Sequence, residues 1–385
     1  MFDRFLDLPK LIKEKSLLFL GPRQTGKSTL VQKAFPDAHF INLLESDVFR
    51  EYSTYPERLR EKLPFSKGVI VIDEIQLAPV LLNEVHALIE KHKGLRFVLT
   101  GSSARRLRKG SVNLLAGRAW PIYLHPLVSK ELELKSDGDW LRYINRGGLA
   151  PIFSSNHLSK ELSAYVGTYL QEEIRAEGLV RSSERFSRFL DVSALCNGEV
   201  LNFVKVSNDC GVPSRTVQAY FKILEDTLIG HRVEPAQTLK RKNVATSKFY
   251  LFDIGVANYL LGRSIPDENS EAFGRVLEHL IFLEIKSYLD YTLSDLKINF
   301  WRSQTHQEVD FVIGKVLAIE VKASKNISEA DTKSLSILKE ETAFKKIRRM
   351  IVCREKSKRT TNSGVEVIPY KEFLNDLWTG RLNLE

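Results

Sequence analysis

The chain has 385 residues, 43% apolar and 27% charged, with only 21 Gly and 13 Pro, which sets aside a single small module, a collagen-like repeat and a largely disordered chain. Lys and Arg outnumber Asp and Glu by 57 to 48, a net charge of +9 that permits nucleic acid or another anionic partner without requiring one. Three scattered cysteines with no C-x-x-C pair argue against a disulfide framework or zinc finger, and no apolar run approaches the ~18 residues of a membrane span, so a cytoplasmic protein without a membrane segment is expected.

The first fifteen residues mix charged and apolar side chains, unlike a secretion signal. From there to about residue 130, short apolar runs at 17–20, 40–43, 69–72, 97–99 and 120–124 alternate with helical spacing such as Val80, Leu81, Val85, Leu88 and Ile89. This alternation predicts an α/β fold, a parallel sheet with helices on both faces. Helical patterns dominate 131–265. Beyond 266 a helix over 271–289 precedes strand-like runs at 298–301, 309–313, 316–321 and 349–353. Three domains are expected, 1–130, 131–265 and 266–385, the second boundary lying in the polar stretch 262–270 around Pro266.

Gly21-Pro22-Arg23-Gln24-Thr25-Gly26-Lys27-Ser28-Thr29 fits G-x-x-x-x-G-K-[ST] at a strand-to-helix junction, the context that motif needs. Its glycines let successive N–H groups surround phosphate oxygens, Lys27 neutralises the terminal phosphates, and the Ser28 hydroxyl is placed to ligate Mg²⁺ at a positive helix end. The run ending at 72 is followed by Asp73, suited to hold Mg²⁺ through water, and Glu74, suited to orient and deprotonate an attacking water. Alone, two such acids would equally suit a helix N-terminus. A third run ends in Thr100-Gly101-Ser102-Ser103. If its strand lies between the two motif strands, a hydroxyl there touches the γ-phosphate or the water, Ser102 or Ser103 being preferred to Thr100. A merely polar strand end is the plainer account. Arg118 precedes the last run, where it would emerge at the sheet edge and serve a neighbouring subunit's nucleotide, or simply pair with a surface acid.

The set GPRQTGKST, VIVIDEIQ, LTGSSARRL and LAGRA resembles the AAA-type P-loop ATPases of bacteria and archaea that carry a conserved C-terminal domain of unknown function. Residues 146–151, with Gly147-Gly148 and Pro151, resemble that family's Gly-Gly-x-Pro segment with one extra residue. The resemblance implies an additional-strand P-loop fold, ATP and Mg²⁺ as ligands, and a ring or other homo-oligomer in which Arg118 acts in trans.

In the middle part, helical patterns at 186–196, 202–209 and 214–227, with Gly211 in the turn and Ser214 as N-cap, read as helix-turn-helix. Strand-like segments at 228–233 and 249–252 bracket Lys240-Arg241-Lys242 as the tip of a wing. This would place Arg215 with Ser214, Thr216 and Gln218 at the exposed start of a recognition helix, with Lys240, Arg241 and Lys242 against DNA phosphate. Winged-helix folds serve as often for packing or protein contact.

Gly314-Lys315 is a hairpin tip, and folding there brings Asp310 opposite Ile319 or Glu320. Alternation sets Glu320 and Lys322 on one face and Ile319 and Val321 toward the core. Two acids with a lysine two residues on suit a divalent metal and an activated water, with Glu278 of the preceding helix as a further ligand. The D-x9-E-x-K pattern resembles the restriction-endonuclease-like nucleases, which implies Mg²⁺ on Asp310 and Glu320 and a water-positioning role for Lys322. Charges alternating on a solvated hairpin would look the same. Residues 321–360 carry twelve Lys or Arg against five Asp or Glu, which favours a polyanion or a solvated basic face.

The leading expectation is an ATPase coupled to a DNA-binding, nuclease-like C-terminal domain. The alternative is a nucleotide-controlled signalling or scaffold protein without nuclease activity. A small-molecule kinase fits less well, because Glu74 favours water.

Overall fold

Leu17 and Phe19 point one way along the first strand and Leu18 and Leu20 the other, so the strand buries both faces and demands helices on each side. The computed structural model describes residues 2–63, 67–102, 115, 117–170, 183–236, 247–265, 267–303, 305 and 307–384. In it, β1 (Ser16–Leu20), β2 (His39–Asn42), β3 (Lys67–Asp73), β4 (Gly94–Gly101) and β5 (Ala119–Tyr123) form a wholly parallel sheet in the order β2-β3-β4-β1-β5. The helix Lys27–Ala34 packs Val31 on the Leu17 and Phe19 face, and the helix Leu81–Lys91 packs Leu81, Val85 and Leu88 on the other. β4 lies between β1 and β3, so the glycine loop and the strand-end acids are one strand apart.

The second sheet comprises β6 (Gly230–Pro235), β7 (Lys248–Leu251), β8 (Ile298–Arg302), β9 (Glu308–Ile313), β10 (Leu317–Val321), β11 (Arg348–Cys353), β12 (Arg359–Thr360) and β13 (Glu366–Pro369). Its order is β12-β13-β11-β10-β9-β8-β6-β7. The long helix Phe273–Tyr291 covers one face, against Phe311, Ile319 and Met350, and the helix Lys333–Glu340 covers the other, against Ala318 and Ile351.

Between the sheets, helices Ser183–Leu195, Phe203–Cys210 and Ser214–Asp226 enclose Phe189, Val206, Val217 and Phe221. Asn202 caps the second of them by accepting from Lys205 N at 3.0 Å. The expected cap at Ser214 is not formed: Pro213, with its φ fixed near the extended region, takes the cap position and Ser214 is the first helical residue. The β6–β7 hairpin, expected as a wing, also serves the C-terminal sheet. β6 runs on to pair in parallel with β8 at Glu234 and Pro235, which gives an otherwise open strand edge its backbone partners. Among the described residues no helix is long and apolar enough to cross a membrane.

The Gly147-Gly148 turn shows why those residue types stand there. Asp253 caps the helix Ile254–Leu260 by accepting from Val256 N at 2.9 Å and also accepts from Gly148 N at 2.7 Å. Gly147 has a φ of +73°, and a Cβ there would lie 2.1 Å from the Asp253 carboxylate. Gly147→Ala is therefore expected to cost about 3 kcal/mol or more. Urea unfolding measures it, and a midpoint equal to the parent's would show that the turn tolerates a side chain.

Candidate functional site

The loop after β1 ends in Gly26, whose φ of +91° turns the chain into the helix Lys27–Ala34 with no side chain capping the first amides. Thr25 Oγ1 donates to Pro22 O at 2.8 Å and braces the loop. Lys27, 6% exposed, folds its ammonium onto the loop, donating to Gly21 O at 2.8 Å and Pro22 O at 3.0 Å. Arg23 and Gln24 are half-buried on the loop's crest, Tyr165 OH donating to Arg23 O at 3.3 Å, and Thr29 is exposed on the helix.

Ser28 Oγ donates to Asp73 at 2.9 Å across the gap between the loop and the end of β3. A hydroxyl and a carboxylate joined there are the hard oxygen donors that Mg²⁺ prefers, and the two residues fit that ion. Thr100 on β4 donates to the Asp73 carboxylate and accepts from Glu74 N at 3.0 Å. Thr100, at the strand end between the two motif strands, is thus the hydroxyl bonded to the acid segment itself. Ser102 instead accepts from Gln76 Nε2 at 3.3 Å, and Ser103 lies outside the described residues. Glu74 adopts the left-handed conformation, φ 60° and ψ 46°, a strained arrangement for a non-glycine residue that aims its side chain off the strand end. Gln76 donates to that carboxylate.

A cavity of about 850 Å³ opens beside the loop, between Phe2, Arg4, Thr25, Leu30 and Pro151. Arg4 is buried and donates to Thr25 O at 2.8 Å, His125 O at 2.7 Å and Tyr291 OH at 2.9 Å, with Glu131 as its ion-pair partner at 3.0 Å. Gln76 closes the VIVIDEIQ segment but was given no role there, and Arg4 belongs to no sequence pattern. Arg118 stands just before β5, at the opposite end of the sheet from the loop, where it pairs with Glu90 at 2.5 Å.

The C-terminal acids form a second cluster. The β9–β10 register, Leu317 to Ile313 and Ile319 to Phe311, carries on to place Asp310 beside Glu320, and Val321 N donates to Asp310 Oδ2 at 2.8 Å. Glu320 is 6% exposed rather than on a solvated face, because the helix Lys333–Glu340 covers that side of the sheet. Its Oε1 pairs with Lys322 at 2.8 Å and its Oε2 has no hydrogen-bond partner. The expected metal ligands Glu278 and Asp310 meet a lysine instead. Lys248 of β7, 2% exposed, sets its ammonium 3.2 Å from Glu278, 2.6 Å from Glu308 and 3.4 Å from Asp310, while Tyr250 OH donates to Glu278 at 2.6 Å. Among the described residues no three acids, cysteines or histidines stand close enough together to hold a metal ion. Lys248 and Lys322 thus supply positive charge to the acids expected as the nuclease-type Mg²⁺ set, Glu278, Asp310 and Glu320.

Burial and the Asp310 charge push Glu320 up to about 8 and Glu278 up to about 7. Burial pulls against the Lys248 ammonium, yet the charges of Glu278, Asp310 and Glu308 raise it above its ordinary value. In the middle part Arg215 and Gln218 are exposed at the start of the helix Ser214–Asp226. Lys240, Arg241 and Lys242 lie outside the described residues.

Residues 13–133 match the family described as AAA domain. Residues 137–267 and 273–373 match two families described as domains of unknown function, DUF8612 and DUF4143. Among solved structures the chain is similar to a Walker-type ATPase of Pyrococcus abyssi, at 15% identity over 68% of this chain and 96% of that one, with a TM-score of 0.47. It is also similar to the Aeropyrum pernix ORC1 protein in complex with DNA, at 12% identity over 64% and 86% of the two chains, with a TM-score of 0.29. No curated protein matches the chain. The part that matches the AAA domain model is the α/β part with the parallel sheet, glycine loop and strand-end acids.

The Glu320 shift gives a pH prediction. With the folded value near 8 and the unfolded one near 4.5, the folded state holds the extra proton between them, so this group's contribution falls as pH rises through that window and is flat above it. Glu320→Gln should remove the decline, so that the melting temperature of the variant minus that of the parent is a few degrees higher at pH 8 than at pH 5. Parallel melting curves for variant and parent would contradict the buried, protonated state.

Proposed function

We propose that this protein binds and hydrolyses ATP at the loop between β1 and the helix Lys27–Ala34, and that its other parts bring this cycle to DNA. One observation carries the ATPase reading: Ser28, Asp73, Thr100 and Glu74 are linked by hydrogen bonds at the carboxyl ends of three adjacent strands, directly beside the glycine loop. The Lys27 ammonium, which now donates to two loop carbonyls, would exchange them for phosphate oxygens, and the amides after Gly26 would take the remaining charge. Ser28 and Asp73 would hold Mg²⁺, and that ion supplies positive charge to the β- and γ-phosphates. Glu74, held by Gln76, orients the attacking water and accepts its proton. The nucleoside end would lie in the cavity between Arg4, Leu30 and Pro151. Arg118, far from its own loop, would reach a nucleotide only as part of a neighbouring subunit, so a homo-oligomer belongs to the proposal.

The DNA reading is supported by the net charge of +9 and by Arg215 and Gln218, exposed where a recognition helix would meet a groove. A second reading of the C-terminal part, a partner-holding domain that cuts nothing, is favoured by the Lys248 ammonium within its acids.

Glu74→Gln should retain nucleotide binding and lose roughly a hundredfold or more in phosphate release, whereas Lys27→Ala should lose binding itself. A fluorescent-nucleotide titration beside a phosphate-release assay separates the two, and full turnover in Glu74→Gln would remove its assignment as base. Replacing Arg215, Lys240, Arg241 and Lys242 together by Ala should weaken DNA binding and flatten its salt dependence by about one unit of slope per lost phosphate contact. Equal affinity for parent and variant across a salt series would leave the middle part as a packing module.

A further inference from the structure

A general base works best when a further group fixes which way it faces. Glu74 has such a group two residues on. Its backbone is held where Thr100 Oγ1 accepts from Glu74 N at 3.0 Å, and it leads into the 3-10 turn Ile75–Leu77, which Leu77 N closes by donating to Glu74 O at 2.9 Å. This turn brings the Gln76 amide to the Glu74 carboxylate. Gln76 is 6% exposed, and its Nε2 donates to Glu74 Oε2 and, at 3.3 Å, to Ser102 Oγ just past the end of β4. The amide oxygen Oε1 is buried and has no hydrogen-bond partner. A buried acceptor left unmet is costly, so the place of this amide is set by what its N–H groups do. Gly101 makes room for it. Gly101 has no positive φ, yet a Cβ there would lie 2.6 Å from Gln76 Oε1, so the glycine serves close approach rather than backbone conformation.

We propose that Gln76 is the positioning residue of the ATPase and acts on the attacking water only through Glu74: its N–H holds Glu74 Oε2 and leaves Oε1 to receive the water's proton. A carboxylate has two oxygens, so one N–H donor sets the plane of the group without using up its capacity to accept. In the step itself the water oxygen bonds to the γ-phosphorus, the bond to the bridging oxygen breaks with its electron pair staying on ADP, and the water's proton passes to Glu74. Ser102, accepting from the same amide, ties the base to β4, the strand between the two motif strands. The two hydroxyls of that strand end then divide the work. Thr100 bonds Asp73 directly, and Ser102 reaches Glu74 through Gln76. The inference rests on the ATPase reading and deepens it.

The test is single-turnover phosphate release by the full chain, in excess over ATP and with saturating Mg²⁺, beside a fluorescent-nucleotide titration. Gln76→Met, which keeps an unbranched stem and drops the amide, should bind nucleotide within about twofold of the parent and release phosphate about tenfold more slowly or worse. In a chain already carrying Glu74→Gln, the same substitution should slow release no further, because the group it acts on is gone. A merely structural Gln76 would cost the same factor in both backgrounds, and that result overturns the proposal. Glu74→Gln tells the two readings apart. If it releases phosphate at the parent rate, the base assignment falls and this proposal falls with it, whereas a slow Glu74→Gln beside a Gln76→Met as fast as the parent or faster sinks the proposal alone. Should a melting curve show that Gln76→Met does not fold, Gly101→Ala takes its place, since the added methyl first meets the tip of a flexible side chain and turns the amide away. Slower release by Gly101→Ala, with no further loss in the Glu74→Gln background, then supports the proposal, and release at the parent rate overturns it.

Discussion

The architecture depends on one helix that buries charge along its whole length. Phe273–Tyr291 carries Glu278 near its start, Glu284 in its middle, and Asp290 and Tyr291 at its end, about 20 Å from first to last. Each would be costly inside an apolar core if its partners moved away. Glu284, with no exposed surface, accepts from Ser129 N at 2.7 Å, Ser129 Oγ at 2.8 Å, Tyr143 OH at 3.1 Å and Trp378 Nε1 at 2.5 Å. Those donors come from the segment after β5, the helix Asp137–Arg146 and the helix Tyr370–Trp378. Burial pushes this carboxyl up to about 7, so its four donors are what makes it tolerable there. Asp290 is held by Lys286 and His125, and Tyr291 by Arg4.

Because the partners of that helix lie in different parts of the chain, the parts interlock. Tyr291 and Trp378 belong to the same apolar cluster as Leu17, Phe19 and Val31 of the nucleotide-binding sheet. Arg4 joins Thr25 O of the phosphate loop to Tyr291 OH, so the loop and the end of the helix share one buried guanidinium. The planar fork of that guanidinium fixes the geometry between the loop carbonyl and the helix end. The opposite end of the same helix carries Glu278 into the cluster around Lys248. The nucleotide site and the acid cluster are thus placed at the two ends of one element.

Local signals were legible and long-range ones were not. The apolar runs at 17–20, 69–72 and 97–99 became β1, β3 and β4 because each strand is buried on both faces and needs continuous apolar sequence. The phosphate loop and Asp73 were readable because their chemistry fixes residue types at fixed spacing. The Thr100–Asp73 bond was not legible, because which hydroxyl meets Asp73 is set by the stagger of β4 against β3, not by composition. The burial of Glu320 was not legible, because alternation gives a face but not what covers it. Lys248 carried no signal at all: it is 62 residues from Asp310, and only the pairing of β6 with β8 brings its hairpin to the C-terminal sheet.

That pairing bears on what the middle part can be. The base of the hairpin ends in β6 pairing with Asn299 and Phe300 and sinks Lys248 below the surface. Pulling it away would strand three carboxylates with Asp310 and Glu278 in mutual repulsion, a penalty larger than two backbone bonds suggest. The base of the hairpin is therefore fixed by electrostatics and not by its short ladder. Among the described residues, the middle part offers a partner the start of the helix Ser214–Asp226, where Arg215 and Gln218 face solvent on a core of Val217, Tyr220 and Phe221. A packed helix end beside a hairpin base held by buried charge sets where Arg215 and Gln218 stand relative to the C-terminal sheet, and both depend on contacts far apart in the sequence.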